Sequence, residues 1–292
     1  MSDALIIPEM NNRAVPRSSG PILTAHLFSK LETKLIELLR SLGPEDWEQQ
    51  TIAPKWKVKD VAAHLLDTQL RKLSLCRDGY AGQTPSTNSN DDLVEFINRL
   101  NHEGVTVYRR LSPALLIQLM EMTSRQSVAY HESLDPFAPA LFPVTWAGEK
   151  QSANWFDTAR EFTERWHHQQ QIRLAVGRPG MMTREFYFPV LDCFMRGLPF
   201  AYRAQKSPSG TMARFNVSGE SGGSWYLYRD NNEWKLSEAP AGEQVSETTI
   251  PQEIAWRIFT KGISRETARA QVHVSGDARL GLHILEMVSI IG

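Results

Sequence analysis

Two hydrophobic patterns divide the chain near residue 203. Before that point, apolar side chains recur every three or four residues, the spacing that lines one face of an α-helix. Helices are predicted over about 21–43, 58–76, 91–111, 114–134 and 152–176, with a further helical stretch over about 187–202. The main helices in this order favour a four-helix bundle.

After a short linker, apolar and polar residues alternate, which is typical of half-buried strands. Strands are predicted in 213–219, 223–230, 233–238 and 270–276, with helices over about 250–262 and 278–290. Mixed strands and helices of this kind indicate a small α+β domain. The predicted organisation is a loosely ordered extension over 1–20, a helical bundle over 21–203 and an α+β domain over 204–292.

Composition narrows the classes of partner. The chain has 292 residues, is 41% hydrophobic and carries a formal net charge of −1, which argues against a nucleic-acid or anionic-membrane binder driven by bulk charge. It has no apolar run long enough to span a bilayer and no secretory signal at its start. Two cysteines, Cys76 and Cys193, are too few for a disulfide framework, so a reducing, cytoplasmic setting is expected.

Candidate metal ligands lie on polar stripes of two predicted helices. Glu164 and His168 are four residues apart, and this spacing places them on one helical face, while His64 lies on a polar stripe about a hundred residues earlier. Two imidazoles and a carboxylate are a common donor set for a divalent metal with open positions. Spacing alone favours the simpler reading that both stripes face water. Glu161 shares the face of Glu164, so the choice between the two acids stays open, and His167 is expected to point elsewhere.

A longer pattern resembles a known family. Its parts are Trp56-x-Val58-x-Asp60-Val61-x-x-His64-Leu65, and then Glu164-x-x-x-His168 followed by Ala175 and Gly177. The pattern is similar to the DinB-like superfamily, and within it to the metal-binding domain of mycothiol-dependent maleylpyruvate isomerases. The resemblance implies a four-helix bundle whose divalent metal, usually zinc, is held by His64, Glu164 and His168. It also implies a sterol-carrier-protein-like fold for the C-terminal domain. Gln171 departs from the family, because many relatives have an aspartate there.

The resemblance implies a metal-dependent enzyme that uses a low-molecular-weight thiol such as mycothiol. Its reaction would be a transfer to, or an isomerisation of, a small electrophilic molecule. Candidate catalytic residues are Arg71, Glu161 and Gln171. Arg71 is suited to pairing with a substrate carboxylate, but a surface salt bridge with Asp67 is the favoured role.

Two alternatives remain open. One is a metal-assisted hydrolase with Glu161 as base. The other is a non-catalytic protein that binds a metal and an apolar ligand, with Trp225, Trp234 and Trp256 either around a pocket or in the core. A small-molecule substrate is expected, with no nucleic-acid or membrane partner. The substrate and the oligomeric state are left undetermined.

Overall fold

The N-terminal part of the protein is helical. The structure, a computed structural model, describes residues 20–85 and 90–289, so the predicted extension lies outside the described residues except for Gly20. The helices of this part are α1 (Phe28–Arg40), α2 (Val58–Lys72), α3 (Asn90–Tyr108), α4 (Pro113–Ser133), α5 (Asn154–Ala175), α6 (Arg184–Met195) and α7 (Leu198–Ala201). None of the helices in the described ranges is long and apolar enough to cross a bilayer.

Local signals in the sequence set two of the helix starts. Before α4, the Ser112 side chain accepts a hydrogen bond from the Leu115 amide, and Pro113 occupies the first turn, where its missing N–H costs little. Before α2, the Asp60 carboxylate accepts from the Lys57 amide at 3.0 Å. The end of α2 passes into a π-helical turn, Leu73–Arg77.

Helices α1, α2, α4 and α5 pack together as a bundle, and α3 lies beside α2. Their interface is filled by apolar side chains of the periodic stripes, among them Leu35, Leu39, Val61, Leu65 and Met120. The predicted helical bundle is therefore confirmed.

The C-terminal part is a five-stranded sheet with short helices. Its strands are β1 (Thr211–Ser218), β2 (Gly223–Asp230), β3 (Glu233–Ser237), β4 (Glu243–Pro251) and β5 (His273–Gly276), in the spatial order β3-β2-β1-β4-β5. Strands β1 and β4 are parallel, and the other neighbouring pairs are antiparallel. The helices are α8 (Gln252–Phe259), α9 (Arg265–Arg269) and α10 (Ala278–Leu282). The α+β class is confirmed, but β4 is not among the predicted strands.

The two parts share one hydrophobic core. Trp166 of α5 stacks on Tyr187 of α6 with ring centroids 4.7 Å apart, and it meets Trp256 of α8 edge-on at 6.0 Å. The Tyr187 hydroxyl donates to the carbonyl of Gln252 at 2.7 Å. Trp225 and Trp234 are also buried in this shared core, so all three C-terminal tryptophans are packing residues. One side of α5 is thus fixed by the C-terminal part, which leaves its other side to face α2.

Candidate metal centre

The polar stripes of α2 and α5 face each other inside the bundle. The rings of His64 and His168 meet edge-on with centroids 4.6 Å apart. Only 6% of His64 and 8% of His168 is exposed to solvent. The simpler reading, in which these stripes face water, is therefore wrong for both histidines.

Glu164 lies beside His168, as the helical spacing predicts. Its Oε2 is 3.8 Å from His168 Nε2 and 3.7 Å from His167 Nδ1. These three residues form a group whose possible ligand atoms all lie within 4.8 Å of one another. Burial raises the pKa of Glu164 to about 8, against the lowering effect of the nearby Arg160 charge.

His167 belongs to this group, although it was expected to point elsewhere. It is buried, with 1% exposure, and its Nδ1 lies 3.2 Å from the Thr163 carbonyl one turn earlier. A carbonyl only accepts hydrogen bonds, so this nitrogen carries a proton and has no lone pair for a metal. In contrast, His64 Nδ1 is buried and has no hydrogen-bond partner among the described residues.

Gln171 holds His168 in a defined orientation. The Gln171 Oε1 lies 2.9 Å from His168 Nδ1. An Nδ1–H that donates to this oxygen leaves the lone pair on Nε2, the nitrogen nearer Glu164. Burial lowers the pKa of His168 to about 4, so the ring is neutral at pH 7. The residue that departs from the family pattern therefore supports a candidate ligand.

Trp56 covers the two histidines. Its ring centroid lies 4.6 Å from that of His64 and 5.9 Å from that of His168. Ile52, in the same segment as Trp56, packs against the core that the N-terminal and C-terminal parts share. The candidate centre thus lies near the place where the two parts of the molecule meet.

Glu161 and Arg71 are engaged in ion pairs. The Glu161 carboxylate is 3.4 Å from Lys72 Nζ and 2.8 Å from Arg160 Nη2. Burial works to raise its pKa, but the two cations outweigh burial and lower the pKa of Glu161 to about 2. Arg71 pairs with Asp67 at 2.8 Å, in the predicted salt bridge, and also donates to Asn101.

A second buried ion pair, which no sequence pattern indicated, links the helices next to the candidate centre. Arg165 of α5 pairs with Glu32 of α1, with Nη2 to Oε2 at 2.8 Å, and both side chains are about 5% exposed. Ser124 of α4 and Gln69 of α2 donate to the same carboxylate. The network joins the four bundle helices one turn away from His168.

The residues that converge here suit a divalent cation. A neutral imidazole with a free Nε2, a second imidazole with an unpartnered buried nitrogen and an adjacent carboxylate are the donor types that zinc prefers. An open position is common for three protein ligands of this kind.

Comparisons with known proteins agree with this architecture. The sequence profile described as the mycothiol maleylpyruvate isomerase N-terminal domain matches residues 28–173, half of the chain. A solved histidine-to-alanine mutant of mycothiol-dependent maleylpyruvate isomerase is 14% identical, with a TM-score of 0.52 over 86% of this chain and 91% of that chain.

A second structure of that isomerase gives 14% identity and a TM-score of 0.49 over 80% of this chain and 86% of that chain. No curated protein matches the chain. At this identity the first structure supports the fold, and the profile supports the family. The chain belongs to the family defined by the mycothiol maleylpyruvate isomerase N-terminal domain.

Proposed function

We propose that this protein is a metal-dependent, thiol-dependent transferase or isomerase that acts on a small electrophilic molecule. His64, Glu164 and His168 are the proposed ligands of a divalent ion, with zinc as the favoured metal. The proposal rests on the contact between the buried rings of His64 and His168. It also rests on His64 Nδ1, which has no hydrogen-bond partner among the described residues. His167 is the less suitable third donor, because the ring nitrogen that it turns toward Glu164 is Nδ1, which is bonded to the Thr163 carbonyl, whereas His168 turns its free Nε2 toward Glu164.

The name of the similar isomerase suggests mycothiol as the thiol. When bound at such a centre, zinc lowers the pKa of a coordinated thiol and favours its thiolate. The protein supplies the setting for this chemistry. Gln171 fixes the His168 tautomer, and Trp56 covers the imidazoles. A reducing cytoplasm would keep the thiol reduced, in line with the unpaired Cys76 and Cys193.

A metal-assisted hydrolase with Glu161 as base has less support. A carboxylate with a pKa near 2, paired with Lys72 and Arg160, is a weak base at neutral pH. Glu164 is not available as that base either, because it is one of the proposed ligands of the metal.

The ligand assignment is tested by metal content. We expect elemental analysis of the purified protein to find one divalent ion per chain. His64→Ala and His168→Ala should reduce it to background, and Glu164→Gln should weaken binding, because a charged donor is lost. The matched controls are His167→Ala and Glu161→Gln, which should retain the metal. Loss of metal in His167→Ala with full occupancy in His64→Ala would replace His64 by His167 in the ligand set.

Thiol dependence is tested on cobalt-substituted protein. Addition of mycothiol should shift the visible absorption of the cobalt centre, because sulfur would enter its coordination sphere. The shift should be absent in His168→Ala. A loaded protein whose spectrum does not respond to mycothiol would contradict the proposed thiol chemistry while leaving the metal assignment intact.

A further inference from the structure

Arg173, in the last turn of α5, lines a cavity between the end of the bundle and the start of α6. The cavity has a volume of about 420 Å³, which is within the usual range of small-ligand sites. Among the described residues that line it, Lys34, Arg173 and Arg178 are cationic and Glu37 is anionic. The lining therefore carries an excess of positive charge.

Arg178 is already paired within the chain. Its guanidinium donates to the Ser41 carbonyl at 2.9 Å and lies 3.2 Å from Asp46 Oδ2. These contacts satisfy the end of α1 and neutralise the charge of Arg178. The cations of the lining that are left for a ligand are Lys34 and Arg173.

Arg173 has no carboxylate partner among the described residues. Its Nη1 and Nη2 donate to the carbonyls of Pro179 and Lys34, at 3.5 and 3.2 Å. Its Nε is shielded from solvent and has no hydrogen-bond partner in the described ranges. Burial lowers the pKa of Arg173, although the charge of Glu37 opposes the shift. A guanidinium has several N–H donors and is poorly compensated by two long bonds to neutral carbonyls, so Arg173 retains donors for an anion.

Gly180 leaves open space beside this guanidinium. A carbon atom in the position of a Gly180 side chain would lie 3.0 Å from Nη1, 3.5 Å from Cζ and 3.9 Å from Nε of Arg173. Apart from Gly180 and its two chain neighbours, no described residue comes closer to that position. The space next to the guanidinium is therefore empty, and Gly180 and Arg173 both line the cavity.

The buried part of the lining is apolar. Leu38, Met181 and Phe186 line the cavity and are each less than 5% exposed, and Pro179 adds a further apolar side chain. A carboxylate pairs well with a guanidinium, whereas an apolar surface favours an apolar group over a hydrated ion. The two parts of the lining together suit an organic anion better than an inorganic one.

We propose that this cavity binds a small organic carboxylate with an apolar body, through the guanidinium of Arg173. The carboxylate would pair with Arg173 beside Gly180, and the apolar body would cover Met181 and Phe186. None of the proposed metal ligands lines the cavity, so the site is separate from the metal centre and does not depend on the proposed function.

The test is isothermal titration calorimetry of the full-length protein with four probes at constant ionic strength. Benzoate has both the charge and the apolar body, acetate has the charge with little apolar surface, benzamide has the apolar body without the charge, and phosphate is an inorganic anion. The variants are Arg173→Met, Arg173→Lys and Glu37→Gln. The matched control is Arg125→Met, because Arg125 is an exposed arginine of α4 outside the cavity.

We expect benzoate to bind the unaltered protein more tightly than the other three probes do. Its affinity should fall at least tenfold in Arg173→Met, less in Arg173→Lys, and stay unchanged in Arg125→Met. Glu37→Gln should raise the affinity, because it removes the negative charge from the lining. The thermal midpoint of each variant in chloride buffer shows whether it is folded.

Four outcomes would overturn the proposal. They are the absence of benzoate binding, equal affinity in Arg173→Met and the unaltered protein, equal binding of benzamide and benzoate, and equal binding of phosphate or acetate and benzoate. If Arg173→Met does not fold, Glu37→Gln decides the question. An unchanged or lower affinity for benzoate in Glu37→Gln would then reject this cavity as the site.

Discussion

At the scale of single residues, helical spacing correctly predicted the relative position of two residues of the candidate centre. It placed Glu164 and His168 side by side, as the structure has them. His64 could be linked to them only through the resemblance, because no local pattern indicates which distant helices pack together. The burial of His167 was missed for a related reason. Spacing assigns a residue to a helix face, but burial depends on what covers that face.

Gln171 should control the metal affinity of His168. In Gln171→Leu the imidazole loses its orienting acceptor, so we expect metal affinity to fall by about 10- to 100-fold. Competition with a chromophoric chelator measures the change. Gln171→Glu keeps the acceptor and adds charge, and it should bind at least as tightly as the unaltered protein. Equal affinities in Gln171→Leu and the unaltered protein would show that this hydrogen bond has no role in binding.

His131 should make the fold sensitive to acid. It is 2% exposed, and its ring stacks on Phe28 with centroids 4.3 Å apart. Burial lowers the pKa of His131 to about 4, although Glu161 opposes the shift. Between pH 6.5 and 4 the unfolded chain binds a proton that the folded chain does not, so the free energy of unfolding falls as the pH falls.

The expected loss at His131 is on the order of 3 kcal/mol, and it should level off below about pH 4. Urea denaturation of His131→Phe and of the unaltered protein across this pH range separates the contribution of His131 from that of the other buried histidines. The difference in stability between the two proteins should shift steadily in favour of the variant as the pH falls. Parallel pH profiles would contradict the assignment of a depressed pKa to His131.

At the scale of elements, the long helices were predictable, whereas the short helix α9 and the strand β4 were not. The helices show apolar stripes with a clear period, whereas β4 buries Ser246 and Thr248 alongside Ile250. Their hydroxyls donate to the carbonyls of Asp277 and Gly281, at 2.9 and 3.0 Å. Because the buried face of β4 is largely polar, the sequence of this strand does not alternate between apolar and polar residues, and a hydrophobic pattern does not reveal it.

The Glu32–Arg165 pair should be a strong but replaceable link between helices α1 and α5. Arg165→Met leaves the Glu32 carboxylate buried without its cation, and we expect it to cost about 3–5 kcal/mol in the free energy of unfolding. The double variant Glu32→Leu with Arg165→Met removes both charges and should recover most of that loss. Chemical denaturation of the single and double variants measures both values. Similar losses in the two would mean that packing, and not the unpaired charge, dominates.

At the scale of the whole molecule, the sequence divided the chain into a bundle over 21–203 and a domain over 204–292. That division stays a prediction. The change from helices to strands follows it, but the hydrophobic core runs across it through Trp166, Tyr187 and Trp256. Sequence patterns show which residues are buried within an element. They do not show that two elements far apart in the chain share one core.

The shared core should make unfolding cooperative across both parts. Calorimetry should show a single transition, because separation of the two parts would expose the stacked rings of Trp166 and Tyr187 to water. Trp256→Ala should lower that transition without splitting it, with a loss of about 3–5 kcal/mol. Two resolved transitions in the unaltered protein would show that the parts unfold independently.

The stacking of Trp166 also has a consequence for cation preference. Trp166 and His168 project from nearly opposite sides of α5, so the contacts that lock the tryptophan also set the helix's rotation about its own axis. Discrimination among cations depends on the size and geometry of the cavity that the ligands enclose. Substitutions in the C-terminal part should therefore change which ion the centre prefers without altering any ligand. Variant libraries aimed at a new metal should include that part.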